Sequence, residues 1–353
     1  MTGASQAGDS PTIAVVVPVY NGARFLGRSI PALRRSDPDV SVVVVDAGST
    51  DGSGDLAEAL GVKVIRLAQR EGPARARNVG VEHTTAEIVL FVDADCVAHR
   101  DVVARVRAAF ATDPELVSLT GSYDADPPDP GFFSQYMNLR HRYHHQRART
   151  QGASFWTGCG AVRRNAFLGV GGFDATRYPR PQIEDIELGV RMSRAGRCCL
   201  DPGLEVTHLK VWTLASVVST DIFQRALPWS RLIFETRSMH NDLNTAFRHR
   251  LAALLSPGVL VAPVLIAAAG SEGAPVVVVG GGVLWLLVAT ALAADMFGFL
   301  RRLRGTRFAL WASLFHQIHL SYSAAAFSWC AFDRLRTLVF GARSEPGHWR
   351  GSA

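Results

Sequence analysis

Residues 87–96 read E-I-V-L-F-V-D-A-D-C, and the rest of the chain is organised around this stretch. Five apolar residues, Ile88 to Val92, run without interruption and stop at Asp93 and Asp95. An uninterrupted β-branched and aromatic run of this length predicts a strand buried on both faces of a parallel sheet. Ligands bind beyond the carboxyl ends of such strands, and two carboxylates there suit Mg²⁺ or Mn²⁺ holding a diphosphate. For this motif alone, a helix cap followed by a turn aspartate is the alternative.

Similar apolar runs alternate with helical patterns along the first part of the chain. Strands are predicted at Thr12–Val19, Val40–Val45, Val62–Arg66, Ile88–Val92 and Leu116–Gly121. Helices are predicted at Ala23–Arg35, Asp55–Leu60, Gly72–Val81, Asp101–Phe110, Phe132–Thr150 and Gln182–Gly196. Strands and helices that alternate at this spacing form βαβ units with right-handed crossovers. The predicted fold class is therefore α/β, with a doubly wound core.

Polar residues follow several of the predicted strands, where they would line a nucleotide pocket. The first strand ends in Pro18-Val19-Tyr20-Asn21, and the second ends at Asp46. Asp46 would accept hydrogen bonds from a base or ribose, or it would cap the next helix. Arg77 lies near the start of the helix over Gly72–Val81, where free N–H groups and the dipole favour a phosphate. A solvent-facing arginine is the alternative.

The segment Q-I-E-D-I-E-L-G-V-R-M-S-R-A-G, residues 182–196, predicts an amphipathic helix with glycine at its end. Glu184 and Asp185 stand in its first turn, where acids are also favoured simply by the helix dipole. Further along, His208 ends the strand-like L-E-V-T-H. It is either a third metal or phosphate ligand or an ordinary core or surface histidine.

Composition narrows the class of partner and the compartment. The formal charge of +6 fits an anionic partner, and no recognition-helix or zinc-finger pattern indicates nucleic acid. The only lysines are Lys63 and Lys210. Five cysteines without C-x-x-C spacing indicate reduced thiols in a cytosolic domain. The first residues lack a basic region and an apolar core, so no cleavable signal peptide is expected.

The end of the chain predicts membrane attachment. Residues 251–270 and 275–294 are nearly all apolar, and at ~1.5 Å per residue each is long enough for a hydrocarbon core of roughly 30 Å. Arginines flank this hairpin on both sides but not at its tip, which places the preceding domain in the cytoplasm. Residues 308–332 predict an amphipathic helix in the cytoplasmic interface. We expect a multi-pass protein of the cell inner membrane.

The predicted division of the chain has four parts. Residues 1–11 are expected to be disordered, 12–245 form the α/β domain, 246–340 form the membrane region, and 341–353 are a tail.

Taken in order, the motifs resemble those of family 2 glycosyltransferases with the GT-A fold. They are V-P-V-Y-N, V-D-A-G-S-T-D-G, G-P-A-R-A-R-N, L-F-V-D-A-D-C, G-G-F-D and I-E-D-I-E-L-G-x-R. The resemblance covers about Ile13 to Trp229. It implies a nucleotide-diphosphate sugar donor, Mg²⁺ or Mn²⁺, inversion of the anomeric centre, and a lipid-linked or glycan acceptor.

The resemblance also implies roles for single residues. The metal would be held by Asp93 and Asp95, with Asp95 the direct ligand, and His208 is a candidate third ligand. Asp185, the second acid of the pair with Glu184, would be the general base. The donor would meet Pro18, Tyr20, Asn21, Asp46, Arg77 and Asp93.

Two departures from the family pattern bear on specificity. Many members have two acids where this chain has Asp46-Ala47, which leaves open the selectivity for the nucleobase of the donor. The stretch D-I-F-Q-R-A-L-P-W, residues 221–229, resembles the Q-x-x-R-W signature of processive relatives with different spacing. We therefore predict transfer of a single sugar, with Arg225 and Trp229 near the acceptor.

Other functions compete with this interpretation. A polyprenyl-phosphate glycosyltransferase would need little base catalysis. A sugar-1-phosphate nucleotidyltransferase would need a Gly-rich loop with Arg or Lys near the N-terminus, where this chain has only Y-N-G-A-R. A non-catalytic, membrane-anchored nucleotide-sugar-binding subunit would not need Asp93, Asp95 and the Glu184-Asp185 pair together.

Overall fold

A computed structural model describes residues 10–147, 155–236, 247–256, 284–285 and 287–340. Within these ranges eight strands form one sheet in the order β3-β2-β1-β4-β7-β6-β8-β5. The strands are β1 (Ile13–Val19), β2 (Ser41–Asp46), β3 (Lys63–Arg66), β4 (Ile88–Val92), β5 (Cys96–Ala98), β6 (Leu116–Tyr123), β7 (Cys159–Arg163) and β8 (Arg197–His208).

The helices of the α/β domain lie close to their predicted positions. They are α1 (Ala23–Ser36), α2 (Ser53–Ala59), α3 (Pro73–Glu82), α4 (Val102–Thr112), α5 (Phe132–His145), α6 (Arg164–Gly169) and α7 (Glu184–Ala195). The helices that follow are α8 (Leu214–Ser219), α9 (Leu227–Thr236), α10 (Phe247–Leu255) and α11 (Ala294–Phe340). A π-helical segment, Thr220–Ala226, joins α8 to α9.

The sheet has an apolar layer on each face, as a doubly wound core requires. All five residues of β4 are buried. Alternate strand residues pack under α1 and α4 on one face and under α3 and α7 on the other. Gly80 of α3 lies against β1 so closely that a Cβ there would stand 2.3 Å from the Val16 side chain. The absence of a side chain lets α3 approach the sheet.

The second half of the sheet differs from the prediction because it is mixed. Strands β1 to β4 pair in parallel, but β7 runs antiparallel to both β4 and β6, and β5 runs antiparallel to β8. The glycines within residues 154–174 are typical of turns, yet β7 crosses that stretch. Strand β7 has only five residues and contains Gly160, so its composition is closer to that of a turn. It is a strand because it is hydrogen-bonded to β4 and β6.

The C-terminal helix α11 packs against the α/β domain. Its residues Phe297, Leu300 and Phe315 join Tyr136 and Leu139 of α5 in one apolar cluster. Gly305, with φ 82° and ψ 172°, interrupts α11 with a non-helical bend. The boundary predicted at residue 245 therefore does not coincide with an edge of packing.

The polar face of residues 308–332 is turned toward the α/β domain. His316 is hydrogen-bonded to Tyr136 at 2.8 Å, and His319 lies 2.9 Å from Asp221, so both histidines face the α/β domain. The outward side instead carries large apolar residues, among them Leu310, Trp311, Leu314, Trp329 and Phe332. Both histidines on the inner side of the helix are hydrogen-bonded to buried partners in the domain and do not face water.

The two predicted membrane spans coincide only in part with the described part of the chain. Most of the two predicted spans, residues 257–283 and 286, lies outside it, as do residues 1–9 and 341–353. Among the helices that the structure describes, none combines the length and apolar character needed to cross a bilayer.

Candidate active site

A cavity of about 530 Å³ opens at the carboxyl ends of β1 and β4. Almost all the residues singled out from the sequence line it: Pro18, Tyr20, Asn21, Arg77, Asp93, Asp95, Glu184, Asp185, His208, Arg225 and Trp229. They come from distant positions between residues 18 and 229, and the sheet brings them together. This is the location expected for a ligand site in an open α/β sheet.

Asp93 is held by a buried arginine. Arg77, only 3% exposed, donates from Nη2 to Asp93 Oδ1 at 2.7 Å and from Nη1 to Glu184 Oε1 at 3.0 Å. Burial disfavours the guanidinium charge, but Asp93 and Glu184 outweigh it and raise the pKa of Arg77. Its predicted contact with the donor phosphates stays a prediction. The observed contacts join the D-A-D loop to the start of α7.

Asp95 is paired with His208. His208 Nε2 lies 3.5 Å from Asp95 Oδ2, because the antiparallel pairing of β5 with β8 sets Cys96 opposite His208. Burial opposes ionisation of Asp95, but the charge and hydrogen bond of His208 outweigh it and lower the pKa. The His208 ring stacks on Tyr123 with centroids 4.3 Å apart.

Asp185 is a carboxylate of the cavity whose pKa is raised. It begins α7, where Ile186 N donates to its Oδ1 at 2.8 Å and Thr157 N to its Oδ2 at 3.5 Å. Burial, with the neighbouring charge of Glu184, raises its pKa to about 7 against the opposing effect of Arg77. Glu184 itself is engaged by Arg77 and accepts from Gln182 N at 2.8 Å. Asp185 is therefore the member of the pair that remains available for proton transfer.

The two loops after β1 and β2 are bonded to each other. Asn21, at φ 49°, donates from its backbone N to Ser49 Oγ at 2.9 Å and accepts from Thr50 N at 2.9 Å. Tyr20 lies under the Arg70 guanidinium, 4.5 Å from the ring centroid. Asp46, in contrast, is buried, accepts from Ser49 N at 2.9 Å and does not line the cavity. Its contact with the nucleoside stays a prediction.

The opposite wall is built by the π-helical segment. Arg225 Nη1 lies 3.2 Å from Asp221 Oδ1 and 3.0 Å from His141 Nε2. Burial and the charges of Arg225 and Arg140 lower the pKa of His141 well below its usual range, so the neutral ring accepts from Arg225. Trp229 packs against Ile183 and Leu232 at the edge of the cavity.

Asp221 was missed in the sequence and is the most heavily bonded acid near the cavity. Arg140 Nη2 lies 3.3 Å from Oδ1, and Tyr322 donates to Oδ2 at 2.8 Å. Burial opposes ionisation, but Arg140, His319 and Arg225 outweigh it and hold the pKa of Asp221 far below its ordinary value. No local motif marked Asp221, since its partners are up to 101 positions away.

The donor set at the D-A-D loop suits a hard divalent ion. Asp93, Asp95 and His208 offer carboxylate oxygens and one imidazole nitrogen, which Mg²⁺ and Mn²⁺ accept. The side chains of the two aspartates are 32% and 23% exposed toward the cavity. Among the described residues, no three His, Cys, Asp or Glu side chains are gathered closely enough to hold a metal alone. Ligand oxygens would have to complete the coordination.

A family comparison covers the first half of the chain. Residues 14–170 match the sequence model of glycosyl transferase family 2. The match includes β1 to β7 and the D-A-D loop. It ends before Asp185 and His208.

Curated relatives match over parts of their length. Glycosyltransferase GlyG of Streptococcus pneumoniae is 27% identical over 35% of this chain and 43% of its own length. The pre-mycofactocin glycosyltransferase of Mycobacterium tuberculosis is 27% identical over 56% of this chain and 42% of its own length. The chain spans less than half the length of the curated relatives just named.

Solved structures extend the likeness to most of the chain. The mannosyltransferase PcManGT of Pyrobaculum calidifontis, in complex with GDP-Man and Mn²⁺, superposes with a TM-score of 0.55 at 18% identity. It covers 91% of this chain and 88% of that one. Residues 1–349 of Staphylococcus aureus TarS superpose with a TM-score of 0.50 at 14% identity, covering 92% and 91%. At these identities the likeness is one of fold. Residues 14–170 are therefore similar to glycosyl transferase family 2, and the chain has a GT-A-like α/β fold.

Proposed function

We propose that the protein is a metal-dependent, inverting glycosyltransferase of the EC 2.4 class. It moves one sugar from a nucleotide-diphosphate sugar to a hydroxyl group of a lipid-linked or polysaccharide-precursor acceptor, in cell-envelope glycan or glycolipid synthesis. One observation carries the proposal. Asp185, with its pKa raised to about 7, lines the same cavity as Asp93 and Asp95. A base and a candidate metal site in one cavity are the two components that sugar transfer from a nucleotide diphosphate needs.

The metal would be Mg²⁺ or Mn²⁺, held by Asp93, Asp95 and His208. When bound, it would neutralise charge that develops on the leaving nucleoside diphosphate. The Mn²⁺ in the PcManGT complex, which also holds GDP-Man, supports this choice of ion. Arg77 acts on the same centre by fixing the orientation of Asp93 through the 2.7 Å contact.

The base step follows from the acidity of Asp185. An acceptor hydroxyl becomes a strong nucleophile only as its proton leaves, and a carboxylate with a pKa near the working pH is well matched to receive it. The proton goes to Asp185, the hydroxyl oxygen bonds to the anomeric carbon, and the bond to the diphosphate breaks on the opposite face. The configuration at the anomeric carbon is thereby inverted.

Donor and acceptor would occupy different walls of the cavity. The nucleoside would contact the loop of Pro18, Tyr20 and Asn21, because the aromatic side chain of Tyr20 is 40% exposed there. The acceptor would contact Arg225 and Trp229 on the opposite wall of the cavity.

A second candidate is a polyprenyl-phosphate glycosyltransferase. The observation that favours it is the cationic wall of Lys210 and Arg225 in the same cavity. A lipid phosphate is already ionised and needs little base catalysis, so the raised pKa of Asp185 favours the hydroxyl acceptor.

We place the protein at the cell inner membrane with its catalytic domain in the cytoplasm. The apolar tracts of residues 251–270 and 275–294 and the arginines that flank them support this placement. The outward apolar side of α11, with Trp311 58% and Trp329 61% exposed, adds a surface suited to lipid.

The test is a nucleotide-sugar turnover screen with Mg²⁺ or Mn²⁺, comparing the wild-type protein with Asp95→Ala. We expect turnover to be abolished by EDTA and by Asp95→Ala without loss of folding. The chain supplies its own control in a second D-A-D, residues 124–126, whose Asp126 side chain is 87% exposed. Asp126→Ala should keep wild-type turnover. Undiminished activity in EDTA would contradict the metal role.

A further inference from the structure

Two cations, Lys210 and Arg225, converge on one aromatic ring in the cavity. Lys210 Nζ lies 4.0 Å from the centroid of the Trp212 ring, and Arg225 Cζ lies 6.0 Å from the same centroid. All three residues line the cavity. Trp212 is buried, so the ring is a fixed platform between the end of β8 and the π-helical segment.

The charge on Lys210 lacks a partner of its own. Among the described residues, no carboxylate lies within 4 Å of its amine. The charged groups that act on this amine from farther away are Asp95, Arg225 and Asp93. A divalent ion at the D-A-D loop would occupy the two carboxylates.

Arg225 is only partly neutralised. It shares Asp221 with Arg140 and with a hydrogen bond from Tyr322, and its other neighbour, His141, is neutral. Lys210 and Arg225 carry like charges around one ring in a partly buried wall, and like charges repel unless an anion compensates them. An ammonium and a guanidinium together suit the oxygens of a phosphate group.

We propose that Lys210 and Arg225, on the Trp212 ring, form a phosphate-binding subsite beside the D-A-D loop. The phosphate reaches it from one of two sources. It belongs either to the donor diphosphate or to a phosphate carried by the acceptor. The proposal rests on the proposed function, since it deepens the account of the same cavity.

The lysine count of the chain makes the subsite directly observable. Only Lys63 and Lys210 are present, and Lys63 is exposed on β3, where its Nζ donates to His83 O at 3.0 Å. Reductive ¹³C-dimethylation keeps the positive charge and gives one NMR signal set for each lysine. The signals are assigned with Lys63→Arg and Lys210→Arg.

The titration uses three probes on the full-length protein in detergent. They are inorganic pyrophosphate, UDP or GDP with Mg²⁺, and farnesyl phosphate added after saturation with nucleotide. We expect the Lys210 signal to shift and the Lys63 signal to stay. A shift with nucleotide that farnesyl phosphate does not change assigns the subsite to the donor diphosphate. A further shift with farnesyl phosphate assigns it to the acceptor. If none of the three probes shifts the Lys210 signal, the proposal is wrong.

Binding constants give a second readout. Lys210→Met keeps the aliphatic contact with Trp212 and removes the charge, so the Kd for pyrophosphate should rise roughly ten- to hundredfold, the loss of one charged hydrogen bond. Lys63→Met should leave the Kd unchanged, and equal thermal unfolding of both variants shows that they are folded. An unchanged Kd in Lys210→Met counts against the subsite. Absence of sugar transfer by the wild-type protein, with Lys210-dependent pyrophosphate binding intact, would instead count against the proposed function alone.

Discussion

At the scale of single residues, the environment of Asp185 predicts both a rate and a pH profile. Asp185→Asn keeps the shape of the side chain but removes the base, so transfer to a hydroxyl acceptor should fall by roughly 10²–10⁴-fold with donor affinity little changed. For the wild-type protein the rate should rise with pH and level off above about 7, the pKa of Asp185. Steady-state kinetics between pH 5 and 9 measure both effects.

Stability provides the control for that variant. The pKa of Asp185 is higher in the folded protein than its ordinary 3.8, so the folded state binds the proton more tightly than the unfolded chain does. The contribution of Asp185 to the free energy of unfolding therefore decreases as the pH rises toward about 7. Asp185→Asn should therefore unfold at no lower urea concentration than wild type at pH 8. A near-wild-type transfer rate for a well-folded Asp185→Asn would exclude the base role. So would a strong loss of stability, which would make the aspartate structural.

Arg77 is predicted to act mainly through its ion pairs. Arg77→Met leaves Asp93 and Glu184 without their buried partner, and breaking such a pair costs about 3–5 kcal/mol. Urea unfolding measures this loss. Arg75→Met is the matched control on α3, because Arg75 is exposed and its partners Glu71 and Glu82 lie at the surface. Equal stability of the two variants would show that Arg77 is not needed to hold the loop to α7.

Much of the candidate site could be predicted at this scale because its side chains follow strands. Asp93 and Asp95 end a five-residue apolar run, so their position at the edge of the sheet follows from the pattern alone. Lys210 and Asp221 stood in no such pattern. The only signal for Lys210 was its rarity, as one of two lysines placed two residues after His208.

At the scale of elements, the π-helical segment and α11 form one unit around Asp221. Tyr322→Phe removes the hydrogen bond from α11 to the Asp221 carboxylate, which we expect to cost about 1.5–3 kcal/mol in unfolding experiments. Because Asp221 also orients Arg225, the KM for the acceptor should rise more than kcat falls. Ser323→Ala, one residue further along α11, is the control, and identical behaviour of the two variants would contradict the link.

The elements that sequence reasoning missed share a physical cause. Strand β5 has only three residues, and β7 contains a glycine, so both depend on neighbours that are distant in sequence. The pairing of β5 with β8 is nevertheless what sets Asp95 beside His208. Local composition cannot supply such long-range pairing. The parallel strands β1, β2 and β4, in contrast, were predicted because their burial makes them continuously apolar.

At the scale of the whole molecule, α11 links the candidate active-site cavity to an apolar surface. One side of the helix reaches Asp221 through His319 and Tyr322, while the other exposes Trp311 and Trp329. Exposed aromatic residues on one side of a long helix are typical of a helix that lies in the membrane interface. An acceptor anchored in lipid would then approach the cavity from the side on which Arg225 and Trp229 stand.

Depth-dependent fluorescence quenching tests this orientation in the full-length protein. In vesicles that contain brominated lipids, Trp311 and Trp329 should be quenched because their rings would lie among the upper acyl chains. Replacing both with Phe keeps the apolar surface and removes the emitters, so the quenched fraction should fall. Trp156, which packs on Tyr123 inside the domain, gives the matched control as Trp156→Phe, which should leave the quenched fraction unchanged or slightly higher. If the Trp311/Trp329 double variant were quenched as strongly as wild type, α11 would face away from the bilayer and the acceptor would have to enter by another side.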